Sequence, residues 1–228
     1  MPFQILPVSI NDRSTIANIV IRSSINDPFA SSVYPTFTTE DRIETCKARF
    51  PKTLVSENSW HLKVADETGE IISYSRWVLP TELWQTLRAE SVVEEVSAED
   101  KERYEKEFQA VISGDDWPIG INKEMVLPME EKMEVARKKF PTEPSILLNG
   151  LNTLPNHQRR GAATTMLKWG TELADKNKLK IRLEATPSGF PLYKAHGFEP
   201  VETVVHHLKE FGGPEEYTHV LMVRDPVA

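Results

Sequence analysis

The residues of this chain whose types and spacing could do chemistry cluster in its last third. Gln158-Arg159-Arg160-Gly161-Ala162-Ala163 lies between an apolar run, Ile146 to Leu154, and an amphipathic run, Ala162 to Lys176. That order reads as a strand, a sharp basic turn and a helix. The first amides of a helix have no intrahelical acceptor, and the aligned peptide dipoles place partial positive charge at that end. A glycine leaves the backbone bare there, so consecutive amides flanked by Arg159 and Arg160 suit a phosphate or pyrophosphate. Two other phosphate loops are excluded. No G-x-x-x-x-G-K-[ST] string occurs, and Gly161 stands alone where a dinucleotide fingerprint needs G-x-G-x-x-G.

What is present is Q-x-x-G-x-A, with Pro155 three residues before Gln158. This spacing resembles the acyl-CoA signature [QR]-x-x-G-x-[GA] of the GNAT superfamily of N-acetyltransferases. Downstream, Leu192-Tyr193-Lys194-Ala195-His196-Gly197-Phe198 resembles the L-Y-x-x-x-G-F block of the same family. The resemblance is close from Leu147 to Val204, looser over Phe3 to Leu79, and absent between Pro80 and Phe140. Within it, Leu167 to Asp175 resembles fungal members of the superfamily.

The resemblance implies an α/β (α+β) acyl-CoA N-acyltransferase fold, with a mixed, mostly antiparallel sheet of about seven strands flanked by helices. It implies transfer of an acetyl group from acetyl-CoA to a primary amine, by direct attack in a ternary complex. By the same resemblance, backbone groups of Leu151, Asn152 and Thr153 pair with the pantetheine arm. The turn Gln158, Arg159, Arg160, Gly161, Ala162, Ala163 and Thr164 holds the pyrophosphate. Tyr193 serves as general acid toward the departing thiolate, and a main-chain N–H near Thr153 as oxyanion donor. Many family members carry a glutamate on the fourth strand, and Ser145 to Thr153 contains none. Glu184, on the next strand, is the nearest acidic candidate for the base; a water chain ending at His61 or Tyr74 is the alternative. Where many members place an asparagine seven residues before the tyrosine, this chain has Thr186. The missing carboxylate leaves a second reading open, a non-catalytic acyl-CoA-binding sensor or regulatory module.

Composition narrows the class. With 228 residues, 39% hydrophobic and 27% charged, the chain can bury a sizeable core as one domain, residues 1–228, carrying an insertion. A net charge of -7 argues against a nucleic-acid surface. No apolar run is long enough to cross a bilayer, and Met1-Pro2-Phe3-Gln4 does not open a signal peptide. Cys46 is the only cysteine, so intramolecular disulfides and cysteine-based zinc sites are excluded, and its default is a buried apolar side chain. A cytoplasmic protein, monomer or homodimer, acting on a small-molecule or peptide amine and holding no metal, is the expectation. His157, His196, His206 and His207 show no ligand spacing.

Elements must position these residues. Phe3 to Val8 reads as an opening strand, followed by a helix capped by Asn11 or Asp12 with Ile16, Ile19 and Val20 inward. Thr38-Thr39-Glu40-Asp41-Arg42 predicts a second helix start, with Ile43, Cys46 and Phe50 inward and an end at Pro51. Trp60 to Ala65 and Ile71 to Leu79 predict a hairpin turning at Gly69. Residues 81–140 hold 15 acidic and 9 basic residues and read as a helical insertion, with helix starts near Leu83, Ser97 and Glu124. This insertion is expected to cover or border the cleft, either as a solvated cap packed on the sheet or as an acidic lid attracting a cationic amine. Ser145 to Thr153 predicts a central strand. After the turn come a helix with Ala163, Met166, Leu167, Gly170, Leu173 and Ala174 inward, and a strand over Leu179 to Ala185. A short helix at Pro191 to Gly197 and two last strands, Phe198 to Val205 and Tyr217 to Val223, complete the chain.

Overall fold

The computed structural model describes residues 3–89, 96–114 and 116–227. Residues 90–95 and 115 of the expected insertion lie outside the described residues.

Seven strands form one sheet: β1 (Gln4–Pro7), β2 (Ser59–Ala65), β3 (Ile71–Val78), β4 (Ser145–Thr153), β5 (Lys180–Ala185), β6 (Glu199–His206) and β7 (Tyr217–Arg224). Their spatial order is β1-β2-β3-β4-β5-β7-β6. All pairs are antiparallel except β4 with β5. The exception has a cause: parallel neighbours need a crossover, and α7 (Ala162–Asn177) is that crossover. The mixed, mostly antiparallel sheet matches the expectation.

Helices cover both faces. α1 (Arg13–Ser23) and α3 (Thr39–Leu54) lie against each other, and α1 contacts β3 and β4. Ile16 and Ile19 pack with Phe50 and Tyr74 there. α2 (Pro28–Val33) joins them. α7 packs on the opposite face, where Trp77, Leu167, Ala174, Leu183 and Phe198 share one core, with α8 (Phe190–Ala195) beside it. The segment between β3 and β4 supplies α4 (Thr81–Ala89), α5 (Ala98–Gln109) and α6 (Lys123–Arg137). α5 rests on α3, and α6 lays Met125, Met129 and Met133 against residues of β6 and β7.

Three local expectations are corrected. α3 does not stop at Pro51 but runs to Leu54 with Pro51 inside it. The proline falls in the last turn, where little helix remains to be kinked, and the Val55 N–H closes on the Pro51 carbonyl at 3.3 Å. The start of α3 is as read, with Thr38 and Asp41 in a reciprocal capping box. At α1 the N-cap position is Asp12, as read, but its side chain does not cap that helix. A 3-10 turn at Ile10–Asp12, itself capped by Ser9, precedes α1, and the Asp12 carboxylate accepts the Ser9 N–H at 2.7 Å. On α7, Ala162 is buried and Ala163 only partly so.

Two contacts hold α7 in place. A methyl group on Gly170 would meet the Trp77 ring at 2.1 Å, so the helix backbone lies directly on the indole. At the other end, Asp175 accepts from both Arg224 Nη atoms, at 2.7 and 2.9 Å. Trp77 is fully buried and has nowhere to move. Gly170→Ala is therefore expected to destabilise the fold by about 1–3 kcal/mol through overpacking, despite alanine's better helix propensity. Chemical denaturation checks this; an unchanged or raised midpoint would show that the contact is looser than described.

Candidate functional site

The site begins where two parallel strands part. β4 and β5 pair from Ser145 with Lys180 to Leu148 with Leu183, and no further. Beyond that point Leu151, Asn152 and Thr153 pair only with β3, and Glu184 and Ala185 only with β7. The sequence builds the divergence with one extra residue. Arg76 faces Gly150 while Trp77 faces Leu148, which leaves Asn149 bulged from the ladder. A bulge bends its strand and increases the local twist. Strand alternation then decides where the free backbone groups point. The Asn152 carbonyl accepts from Ser73 Oγ at 2.6 Å and the Leu154 N–H reaches the Ile72 carbonyl at 3.0 Å, both toward β3. The N–H groups of Leu151 and Thr153 therefore face the opening.

α7 opens beside the mouth of this gap. Gly161 is its N-cap at φ 98°, and Arg159 also has positive φ, 58°. A Cβ on Gly161 would find only Phe3 Cε2, at 3.6 Å, so the backbone angle rather than crowding calls for glycine. Thr38, Ser97 and Asn122 cap α3, α5 and α6 with side chains, whereas no side chain caps α7. The amides of Ala162, Ala163 and Thr164 are left for a ligand. Gln158 ties the turn to the strand, its Nε2 donating to the Thr153 carbonyl at 3.2 Å.

Gap and turn form one cleft of about 750 Å³. Leu151, Asn152, Thr153, Gln158, Arg159, Gly161, Ala162, Ala163 and Thr164 all line it, as does Tyr193. Arg160 does not line it; its Nη1 lies 3.1 Å from His157 Nδ1. Tyr193 meets Phe198 edge-on, with centroids 5.8 Å apart, and burial pushes its phenol up to about 12. It is a neutral hydroxyl at any ordinary pH, able to donate a proton or a hydrogen bond. Thr186 also lines the cleft, near Ser188.

Glu184 is not brought to this cleft. The side chains of Leu183 and Ala185 point toward α7, so Glu184 projects from the other face of β5. There Arg137 of α6 holds it through Nε at 2.6 Å and Nη2 at 3.2 Å, and Glu130 shares the same guanidinium. His61 and Tyr74 are also elsewhere, bonded to each other at 2.8 Å beneath α3. Cys46 is largely buried, which raises its thiol to about 11 and leaves it unreactive. Among the described residues no cluster of His, Cys, Asp and Glu could hold a metal ion.

The cleft also contains acids that the sequence reading did not single out. Asp27, Glu216 and Tyr217 line its far end with Ser23 and Asn26. Asp27 Oδ1 accepts the Phe29 N–H at 2.9 Å, and Tyr217 donates its hydroxyl to Oδ2 at 2.8 Å. Burial and the adjacent Asp27 carboxylate both raise the Tyr217 phenol. The dipeptide Asp27-Pro28 is a legible helix start, since Asp27 caps α2 with proline at its first position. Nothing local shows that the cap faces β7, because Asp27 and Tyr217 are 190 positions apart. No residue of 81–140 lines the cleft among those described, so the described part of the insertion does not cover it.

No protein-family model matches the chain, and no curated protein matches it. Solved structures do. The histone acetyltransferase HPA2-related acetyltransferase of Corynebacterium glutamicum is 17% identical over 100% of this chain and 98% of its own, with a TM-score of 0.61. The C-terminal condensation domain of Ebony, solved with beta-alanyl-dopamine, is 13% identical over 99% of each chain, TM-score 0.64. Arylalkylamine N-acetyltransferase 2 of Aedes aegypti is 11% identical over 99% of each, TM-score 0.56. The chain has the GNAT fold. In the GNAT fold seen here, Glu184 braces α6 against β5. Glu184→Gln is expected to lower stability by on the order of 1 kcal/mol, by weakening a charge-assisted pair. A thermal melt reads this, and an unchanged melting temperature would remove the bracing role.

Proposed function

We propose that this protein is an N-acetyltransferase that transfers the acetyl group of acetyl-CoA to a primary amine. The observation that carries the reading is the meeting, in one cleft, of a parted strand pair, an uncapped helix start and a buried phenol. The residues present fit acetyl-CoA. Leu151 offers a backbone donor to an extended arm, and the amides of Ala162 to Thr164 with Arg159 suit a diphosphate. Acetyl-CoA supplies an activated thioester, whose carbonyl carbon the amine attacks. At the far end, Asp27 and Glu216 give the acceptor pocket negative charge, which favours an amine arriving as the ammonium ion. Glu216 is exposed and can pass the ammonium proton to solvent. Tyr193 holds its proton on Oη until sulfur leaves, and solvent restores it. The Thr153 N–H faces the opening and serves the developing oxyanion.

These carboxylates favour an enzyme over a binding-only module, because a site that merely senses acyl-CoA has no use for an acidic acceptor end. Small amines and peptide amino termini both suit it. Acetyl-CoA, a single cysteine and the absence of any described helix long and apolar enough to cross a membrane go together with a cytoplasmic setting.

Thiol release over a panel of amines tests the reading. Tyr193→Phe is expected to lower kcat by about 10²–10⁴-fold while leaving acetyl-CoA affinity by calorimetry unchanged. Gly161→Val is expected to weaken acetyl-CoA binding by more than about tenfold, since valine resists positive φ and reshapes the turn. Acetyl-CoA binding without turnover of any amine would leave the binding-only module, and undiminished affinity in Gly161→Val would refute the cofactor site. The pH profile has a sign. Tyr193 acts protonated and loses its proton near 12, so kcat at saturating amine should show no descending limb below about pH 10.

A further inference from the structure

Asp27 and Glu216 both line the far end of the cleft, but their surroundings differ. Glu216 is exposed, so water screens its charge, whereas Asp27 is half-buried. The Asp27 carboxylate is also fixed. Its Oδ1 takes the Phe29 N–H at 2.9 Å, and its Oδ2 takes the Tyr217 hydroxyl at 2.8 Å. Tyr217 is buried and its raised phenol keeps the proton, so this bond runs one way, from Tyr217 to Asp27. A carboxylate offers about four acceptor positions, and these neutral donors leave the others open. Among the described residues no lysine or arginine pairs with Asp27. His219, whose ring meets those of Phe29 and Tyr217, has its pKa lowered by burial and supplies no counter-charge at neutral pH.

The elements that carry the pair are packed against one another. Phe29 of α2 stacks on the Tyr217 ring of β7, with centroids 5.1 Å apart and planes 23° from parallel. Met125 and Met129 of α6 join both rings in one apolar cluster. The Asn122 N–H, at the start of α6, reaches the Val33 carbonyl of α2 at 2.9 Å. The loop after β6 is pressed on α2 as well, since a methyl group on Gly213 would meet Ser32 Oγ at 2.8 Å. Asp27 thus heads a short helix that cannot shift without disturbing α6 and β7. A phenylalanine at 217 would stack on Phe29 equally well, so packing alone gives the Tyr217 hydroxyl no role.

We infer that Tyr217 is a positioning residue of the acceptor site: its hydroxyl fixes Asp27 so that the open lone pairs of the carboxylate take the ammonium group of the incoming amine. Asp27, not the solvent-screened Glu216, is then the group that selects a cationic amine over a neutral molecule of the same shape. An ammonium ion entering this half-buried end gains a charge-assisted hydrogen bond, and a hydroxyl in its place gains only a neutral one. The inference rests on the reading of the cleft as the acceptor site of an acetyltransferase.

The experiment uses the full chain and two probes with one body and different heads, 2-phenylethylamine and 2-phenylethanol. Calorimetry at neutral pH with saturating CoA reads their affinities without turnover. The wild-type chain is expected to bind the amine at least about tenfold more tightly than the alcohol. Asp27→Asn, which keeps a side chain able to cap α2, should abolish that preference. Tyr217→Phe, which keeps the stack on Phe29, should cut it by about threefold to tenfold. In thiol release the same variant should raise KM for the amine with little change in kcat, and acetyl-CoA affinity should stay as it was. Glu216→Gln should leave most of the preference in place. Equal or undetectable binding of the two heads by the wild-type chain would overturn the inference. So would an undiminished preference in Tyr217→Phe or Asp27→Asn, or its loss in Glu216→Gln instead. Absence of thiol release with the preference intact would count against the proposed reaction and leave the role of Tyr217 standing.

Discussion

The molecule depends on a ladder that is broken on purpose. Parallel neighbours normally satisfy each other's backbone groups along their whole shared length, and a buried amide without an acceptor is costly. Here β4 and β5 share only four paired positions before Asn149 bulges and the strands part. The amides so released cannot be satisfied by the sheet, because β3 already occupies the other side of β4. They must be met by water or by a ligand. An extended chain carrying amides of its own, as the proposed pantetheine arm does, suits such groups.

A gap of this kind would be useless if it could close, and α7 keeps it open. The helix enters from the end of β4 and exits into the start of β5, so its position fixes how far apart the two strands run. Gly170 brings its backbone onto Trp77, and the Asp175–Arg224 pair fastens its last turn to β7. Arg224 holds the Asp175 carboxyl below its usual range, so this fastening is present above the unfolded carboxylate pKa and is lost as pH falls through the folded value. The same rigid placement aims the first turn of α7 at the cleft. Packing at Gly170 and the proposed binding at Gly161 are two ends of one element.

Much of this was legible in the sequence, for physical reasons that differ by residue. The turn around Gly161 could be read because a bare positive-φ glycine between a strand pattern and a helix pattern has few other uses. Tyr193 could be read only through the resemblance of its block to a known family. The strand count followed from alternation, and the capping box at Thr38 from residue types three apart. What could not be read is what depends on distance in space. Glu184 sits on the expected strand, but strand parity turns it to the face where Arg137 waits. Asp27 was not singled out in the sequence, and only the fold brings it to Tyr217. The bulge at Asn149 has no signature in a single strand, because a bulge is a property of two.

The charge of residues 81–140 shows how composition can mislead about place. A segment so acidic invites the picture of a lid that draws cations to the reaction. In the fold several of its described carboxylates are engaged with neighbouring cations: Glu107 with Arg13, Glu105 with Lys52, Glu130 with Arg137. These pairs staple α5 to α1 and α3 and steady α6, so the segment's net charge is distributed over contacts rather than projected into a cleft. The acids that do line the cleft, Asp27 and Glu216, come from loops at either end of the chain. Local field follows which side chains the backbone leaves unpaired, not how many a segment contains.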